Sequence, residues 1–249
     1  MTDNKTIDRF IDLKMLNQQA NWLSEPYQQA LKAIIDCCFS GIDAAAYLQK
    51  YFLADDCFAR RLRLFFSGEK LVGYCLLTFR YQAVQWPGQN QPKPLTLIGA
   101  SAGFYPEFRH GNQTVQFSIW QTILYKLAHP QQAVYYADTM LSPAMYRVMA
   151  KSVAEVYPRR NTPVPPEIKA ILRVLQPDQP ANACNFVLPV GRRSDYSAED
   201  LARFAASDKE EIRFFCETNP NFAEGNALLA IMPIHLRQIA ATLWRMLRR

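Results

Sequence analysis

Apolar and polar positions change period several times along the chain, and each change marks an element. From the start to about Lys50, Leu13, Leu16, Trp22, Leu23, Leu31, Ile34 and Ile35 recur at intervals compatible with 3.6 residues per turn. No glycine precedes Gly41, so this stretch reads as helical. Residues 61–66 then alternate, Ser67–Lys70 has turn composition, and 71–79 is strand-like, which together predict a β-hairpin. A loop rich in Pro, Gln and Gly over 85–94 leads to a third strand at 95–104. The pattern next predicts a helix over 113–128, a strand over 133–137, and a helix from Ser142-Pro143 to about Val153. That last start is marked by Ser as N-cap and Pro at the first helical position.

Beyond Pro158 the pattern loosens. Pro163, Pro165 and Pro166 mark a break before a short helix at 167–175. A strand is expected at 185–189, helices at 197–206 and 208–217, a last strand at 227–232, and a closing helix over 233–249. Ser197 and Asp200 have capping-box spacing at the first of these helices. The expected organisation is a core over 1–158 with an N-terminal helical segment. Residues 159–249 complete the sheet and add a helical extension, the whole forming one compact domain.

Composition narrows the class. The 249 residues are 49% apolar, with 4 Trp, 12 Tyr and 15 Phe, which is the composition of a folded chain with a sizeable core. No apolar run approaches the eighteen or so residues of a spanning helix. The first fourteen residues alternate charges without an apolar stretch, so no signal peptide is expected and the cytoplasm is the expected compartment. Six cysteines without a CxxC pair, and three scattered histidines, argue against zinc. The net charge of +6 favours anionic ligands without pointing to nucleic acid. Its excess lies in residues 1–160, where Arg60, Arg61 and Arg63 cluster.

The informative segment is the end of the third strand. Gly103-Phe104 is followed by a Pro-Glu-Phe-Arg turn and a small polar loop that opens a helix. The first-turn N–H groups of that helix, from Gln113 and Thr114 onward, have no intrahelical partners and point with the helix dipole into the loop. Gly111 and Asn112 suit a left-handed backbone that turns successive N–H groups inward. Arg109 and His110 add positive potential, so a phosphate or diphosphate is the natural guest.

With two antiparallel strands carrying Val72-Gly73-Tyr74 before it, this segment resembles the GNAT superfamily of acyl-CoA-dependent N-acyltransferases. The resemblance covers roughly residues 25–155. It implies an α/β (α+β) fold with a mixed, largely antiparallel central sheet flanked by helices, here with a helical C-terminal extension. The family's pyrophosphate loop, Arg/Gln-x-x-Gly-x-Gly/Ala, falls on Arg109–Thr114. Its first loop glycine lands on Asn112 and its last small residue on Thr114, with Gly111 one place early. The resemblance implies acetyl-CoA or a longer acyl-CoA as co-substrate, bound by Gly103, Phe104, Arg109, His110, Gly111, Asn112, Gln113 and Thr114. It gives Gly103 and Phe104 amides to the thioester carbonyl.

The family's acid is usually a tyrosine four residues before a Gly-Phe pair. Tyr146 stands at that distance from Ala150-Lys151; with Ser142 as the equivalent N-cap, Met149 takes the place instead. Glu107 and Asp138 are the candidate bases. The implied reaction moves an acetyl or acyl group to an amine on a small molecule, a peptide or a lipid-like acceptor, in a pocket built from 25–60 and 82–94. No nucleic acid and no metal are implied. The alternative is a GNAT-shaped module that has lost catalysis and binds a ligand or partner.

Each candidate also has an ordinary role. Gly111 and Asn112 suit any strand-to-helix turn, Tyr146 suits helix packing, and Glu107 is a turn carboxylate. Asp138 could cap or lie in a loop, His110 could be a surface histidine, and Cys37, Cys38 and Cys75 read as small core residues. In the closing helix Leu236, Ile239, Ala240, Leu243, Trp244, Met246 and Leu247 line one face. His235, Gln238, Thr242, Arg245 and Arg249 fall on the other. The expected arrangement packs the apolar face on the last strand; peripheral membrane contact through 233–249 is the second option.

Overall fold

The computed structural model describes residues 6–17, 19, 21–109, 113–180, 183–194 and 196–247. Seven strands form a mixed, largely antiparallel sheet flanked by helices, the fold class expected. They are β1 (Arg9–Leu16), β2 (Ala59–Ser67), β3 (Lys70–Val84), β4 (Lys93–Phe104), β5 (Val134–Met140), β6 (Val187–Pro189) and β7 (Asn226–Pro233). Their order is β1-β2-β3-β4-β5-β7-β6. The α-helices of the described residues are α1 (Glu25–Cys38), α2 (Ala44–Leu48), α3 (Gln113–Ala128), α4 (Pro143–Ser152), α5 (Pro166–Leu175), α6 (Ala198–Ala205), α7 (Glu210–Thr218) and α8 (Leu236–Leu247). The chain divides into two compact units, residues 1–80 with 98–125 and residues 81–97 with 126–249.

In the first unit, the expected N-terminal helix begins only at Glu25, and residues 9–16 form a strand. Ile11, Leu13 and Met15 turn to one side between Asp12 and Lys14, a period of two that the longer helical spacing obscured. β1 pairs antiparallel with β2, placing Leu13 opposite Leu62 and Ile11 opposite Leu64. Asp12 opposes Arg63, whose guanidinium takes both carboxylate oxygens at 2.7 Å. The hairpin to β3 turns at Gly68, whose φ of 57° suits the glycine. α1 buries Leu31, Ile34 and Ile35 in a cluster with Leu62, Leu64, Tyr74 and Leu76.

A π-helical turn, Gln49–Leu53, follows α2. It is tied to β2 by Arg60, which is 1% exposed and donates to the carbonyls of Tyr51 and Ala54 and to the Asp56 carboxylate. One arginine of the basic cluster is thus structural, and Arg63 is paired.

In the second unit, β7 lies between β5 and β6, antiparallel to both, and six of its eight residues are buried. The Ser142 hydroxyl caps α4 by accepting the N–H of Met145 at 3.4 Å. Ser197 and Asp200 form the capping box expected for α6. α4 packs on α7 through Tyr146, whose ring lies 5.8 Å from those of Phe214 and Phe215.

α8 reverses the orientation expected from its pattern. Gln238 and Thr242 are buried, whereas Leu236, Leu243, Trp244 and Leu247 are exposed. The cause is local: the 153–155 segment offers backbone groups that only polar side chains can satisfy, as described below.

Candidate functional site

The first unit carries the end of β4. Tyr105 N–H donates to the carbonyl of Val72 at 3.1 Å, which sets the β3–β4 register there. Alternation along an antiparallel ladder then puts Gly103 in the same phase as Tyr105 and makes Phe104 and Gly73 a non-hydrogen-bonded pair. Backbone N–H and C=O of Phe104 therefore turn away from β3. Side chains come closest at such a pair, and Gly73 makes room for the ring: a Cβ at position 73 would lie 2.1 Å from Phe104 Cδ1. The Phe104 ring also packs 5.1 Å from Phe65. Gly103 is equally constrained, because a Cβ there would lie 2.9 Å from the buried Tyr74 ring and 3.3 Å from Cys38 Sγ.

The Phe104 carbonyl accepts two hydrogen bonds, from the Cys38 thiol and from Arg109 Nε, both at 3.1 Å. Arg109 thereby bends the chain back on the strand end across the 3₁₀ turn Pro106–Phe108, whose Phe108 is buried as the anchor. Glu107 lies exposed on the same turn. α3 opens at Gln113, which is exposed, and Thr114 follows half-buried. Four sequence-predicted residues of this unit, Gly103, Phe104, Arg109 and Glu107, thus lie on one strand end and its turn. His110, Gly111 and Asn112 lie outside the described residues.

Around this strand end the structure places groups that the sequence did not single out. Cys38 closes α1 against Phe104; burial pushes its thiol up, while the neighbouring Arg109 guanidinium pulls it down. Ser101, on the same face of β4 as Gly103, bonds the hydroxyls of Tyr47 at 2.7 Å and Tyr74 at 3.1 Å, all three buried. Tyr105 packs under Lys70 Nζ, 4.5 Å from its ring centre. Burial raises its hydroxyl, with Cys37, Cys38 and Glu107 adding to the effect. No local motif announces these residues, because α1, α2 and β4 meet only in the fold.

The second unit holds Asp138 and Tyr146. Asp138 sits on β5 opposite Ala230 and is 7% exposed. Burial pushes its carboxyl up to about 6, against the pull of the Arg192 guanidinium and a hydrogen bond from the Thr139 backbone. Arg192 is itself buried and donates to Thr139 Oγ1 at 2.9 Å. A carboxyl held near neutrality can both accept and return a proton at physiological pH. Tyr146 is 1% exposed, and its hydroxyl donates to the carbonyl of Pro158 at 2.7 Å. Burial is the main cause that raises this hydroxyl far above its ordinary range.

This unit also carries a cavity of about 410 Å³, lined by Trp86 and its loop and by Lys169 and Arg173 of α5. The loop after β3 lines this cavity together with α5, and no residue of 25–60 takes part in it. Two cations and an indole suit an anionic group better than an ammonium.

No protein-family model and no curated protein sequence matches the chain. Among solved structures it is similar to a bacterial toxin at 14% identity and TM-score 0.42, over 95% of this chain and 96% of that one. It is also similar to a probable N-acyltransferase from Enterococcus faecalis, at 16% identity and TM-score 0.37, over 57% of this chain. A third is a GCN5-related N-acetyltransferase from Anabaena variabilis, at 18% identity and TM-score 0.36, over 56% of this chain. The chain covers 31% of the length of each of these last two.

Proposed function

We propose that this chain is an acyltransferase that moves an acetyl or longer acyl group from an acyl-CoA to an amine. The observation that supports the reading is the strand end at Gly103-Phe104. The Phe104 backbone is turned off the ladder, glycines at 73 and 103 leave room for the Phe104 and Tyr74 rings packed there, and Arg109 folds the following turn back on the strand end. In this reading the Phe104 N–H faces the thioester carbonyl. Of the two amides expected to do so, Gly103's belongs to the β3 ladder. Arg109, His110, Gly111, Asn112, Gln113 and Thr114 hold the diphosphate.

The amine nitrogen attacks the thioester carbon, a C–N bond forms, and the C–S bond breaks to release the CoA thiolate. Catalysis rests first on holding amine and thioester together. Asp138, the buried carboxyl of β5 whose proton affinity is raised by burial, is the proton acceptor we propose for the ammonium. Glu107, exposed on its turn, takes no proton-transfer role in this reading. Tyr146 holds its proton on the Pro158 carbonyl and would have to leave that partner to protonate the thiolate.

That same bond favours a second reading, a module of this shape that binds its ligand without turnover. The test is release of free CoA thiol from acetyl-CoA and from longer acyl-CoAs in the presence of a panel of small amines, amino-terminal peptides and lipid amines. Amine-dependent thiol release supports transfer. Tight binding without release supports the module, and neither binding nor release overturns both.

A further inference from the structure

α8 is fastened to its unit by its polar side. Gln238, 2% exposed, donates Nε2 to the Glu155 carbonyl at 3.0 Å. Thr242, 4% exposed, accepts the Ala154 N–H at 3.2 Å, and Arg245 donates to the Val153 carbonyl at 2.7 Å. His235 closes the start of the helix, its Nδ1 accepting the Gln238 N–H and its Nε2 lying 3.4 Å from the Glu155 carboxylate. Three of these side chains hold backbone groups of the 153–155 strip, His235 meets the Glu155 carboxylate, and together they fix the rotation of the helix.

The consequence is an apolar stripe facing water. Leu236 is 54% exposed, Leu243 40%, Trp244 55% and Leu247 83%. They stand at i, i+7, i+8 and i+11, one face of a 3.6-residue helix. Arg237 is exposed at the flank, and Arg248 and Arg249 follow in the sequence. No acidic residue occurs after Glu224.

We infer that this face docks onto an anionic lipid surface. The helix lies in the interface, its leucines and Trp244 in the acyl boundary and Arg237 among the headgroups, while Arg245 stays on the Val153 carbonyl. Charge complementarity selects this occupant. A second copy packed face to face would bring two segments of like, basic charge together, with no carboxylate after Glu224 to offset them. The attachment is peripheral: α8 has 12 residues, and no helix among the described residues is long and apolar enough to cross a membrane. This inference does not depend on the acyl-CoA reading.

The experiment is flotation of the full chain with phosphatidylcholine vesicles, with and without phosphatidylglycerol. It compares the wild type with Leu236→Glu/Leu243→Glu, whose exposed positions leave the polar anchor intact. The wild type is expected to float with the anionic vesicles and to be released by salt. In the double variant partitioning should fall by about tenfold or more, with an unchanged thermal unfolding curve. Failure to bind anionic vesicles overturns the inference, as does binding that the double variant keeps. A concentration-dependent dimer that the double variant splits would assign the face to a second copy instead.

Discussion

The end of β4 in the first unit and the Asp138–Tyr146 region in the second are built from different materials, the one half-buried and the other buried. At β4 the site is backbone, shaped by the absence of side chains at Gly73 and Gly103 and by two donors on one carbonyl. In the second unit the material is titratable: a carboxyl raised to about 6 and a phenol whose proton is already committed. A steric site responds to added atoms and is indifferent to pH. An electrostatic one responds to isosteric changes of charge and shows itself in a pH profile.

Asp138→Asn should give the largest effect. If Asp138 accepts the ammonium proton, kcat falls by about 10³. The wild-type limb of kcat/KM, rising through about pH 6 as the carboxylate forms, then disappears. The same substitution has a signature in stability. The folded carboxyl titrates at about 6 against an ordinary 3.8, so the fold disfavours its charged form. Stability therefore declines as pH rises from about 4 to about 6 and is level above, and Asp138→Asn removes that decline. A variant that keeps the limb would take Asp138 out of the reaction.

Gly73→Ala comes next and attacks the steric side. The new methyl would sit 2.1 Å from the Phe104 ring, which must leave its seat. A loss of about 3 kcal/mol in denaturant unfolding is expected, together with loss of acyl-CoA binding at any pH. Full binding in this variant would detach the strand end from the ligand.

Tyr146→Phe should have the smallest effect on turnover and a visible one on stability. It leaves the buried Pro158 carbonyl without its donor, at a cost of about 1–2 kcal/mol. With the hydroxyl committed to that carbonyl, kcat should change by less than about threefold in steady-state assays. A drop of a hundredfold would show that the hydroxyl leaves Pro158 during the reaction.

Much of the fold was legible because its elements are locally marked. Ser142-Pro143, the Ser197–Asp200 box and the turn at Gly68 each announce themselves within four residues. β1 was missed because Ile11, Leu13 and Met15 alternate for only a few positions before helix-like spacing resumes. α8 teaches the sharper lesson. Its amphipathic pattern was plain, but periodicity shows that a helix has two faces and not which one meets the protein. The carbonyls of Val153 and Glu155 and the N–H of Ala154 decide that, 83 to 92 residues away in sequence.

The candidate site divides the same way. The turn from Gly103 to Arg109 could be picked out because glycine, proline and arginine carry local meaning there. Cys38, Tyr47 and Ser101 could not, since nothing near them in sequence foretells that α1, α2 and β4 meet. Asp138 was visible as a residue, but its raised titration comes from burial between strands, which no spacing encodes.

The most direct test of the central claim is calorimetric titration of acetyl-CoA into the wild type and into Arg109→Ala/Asn112→Pro. The first change frees the Phe104 carbonyl from its guanidinium, and the second removes a loop N–H and forbids a positive φ. Micromolar binding by the wild type and its loss in the double variant are expected, with both chains folded. Absence of binding to acetyl-CoA and to longer acyl-CoAs, or equal binding by the two proteins, would contradict the claim.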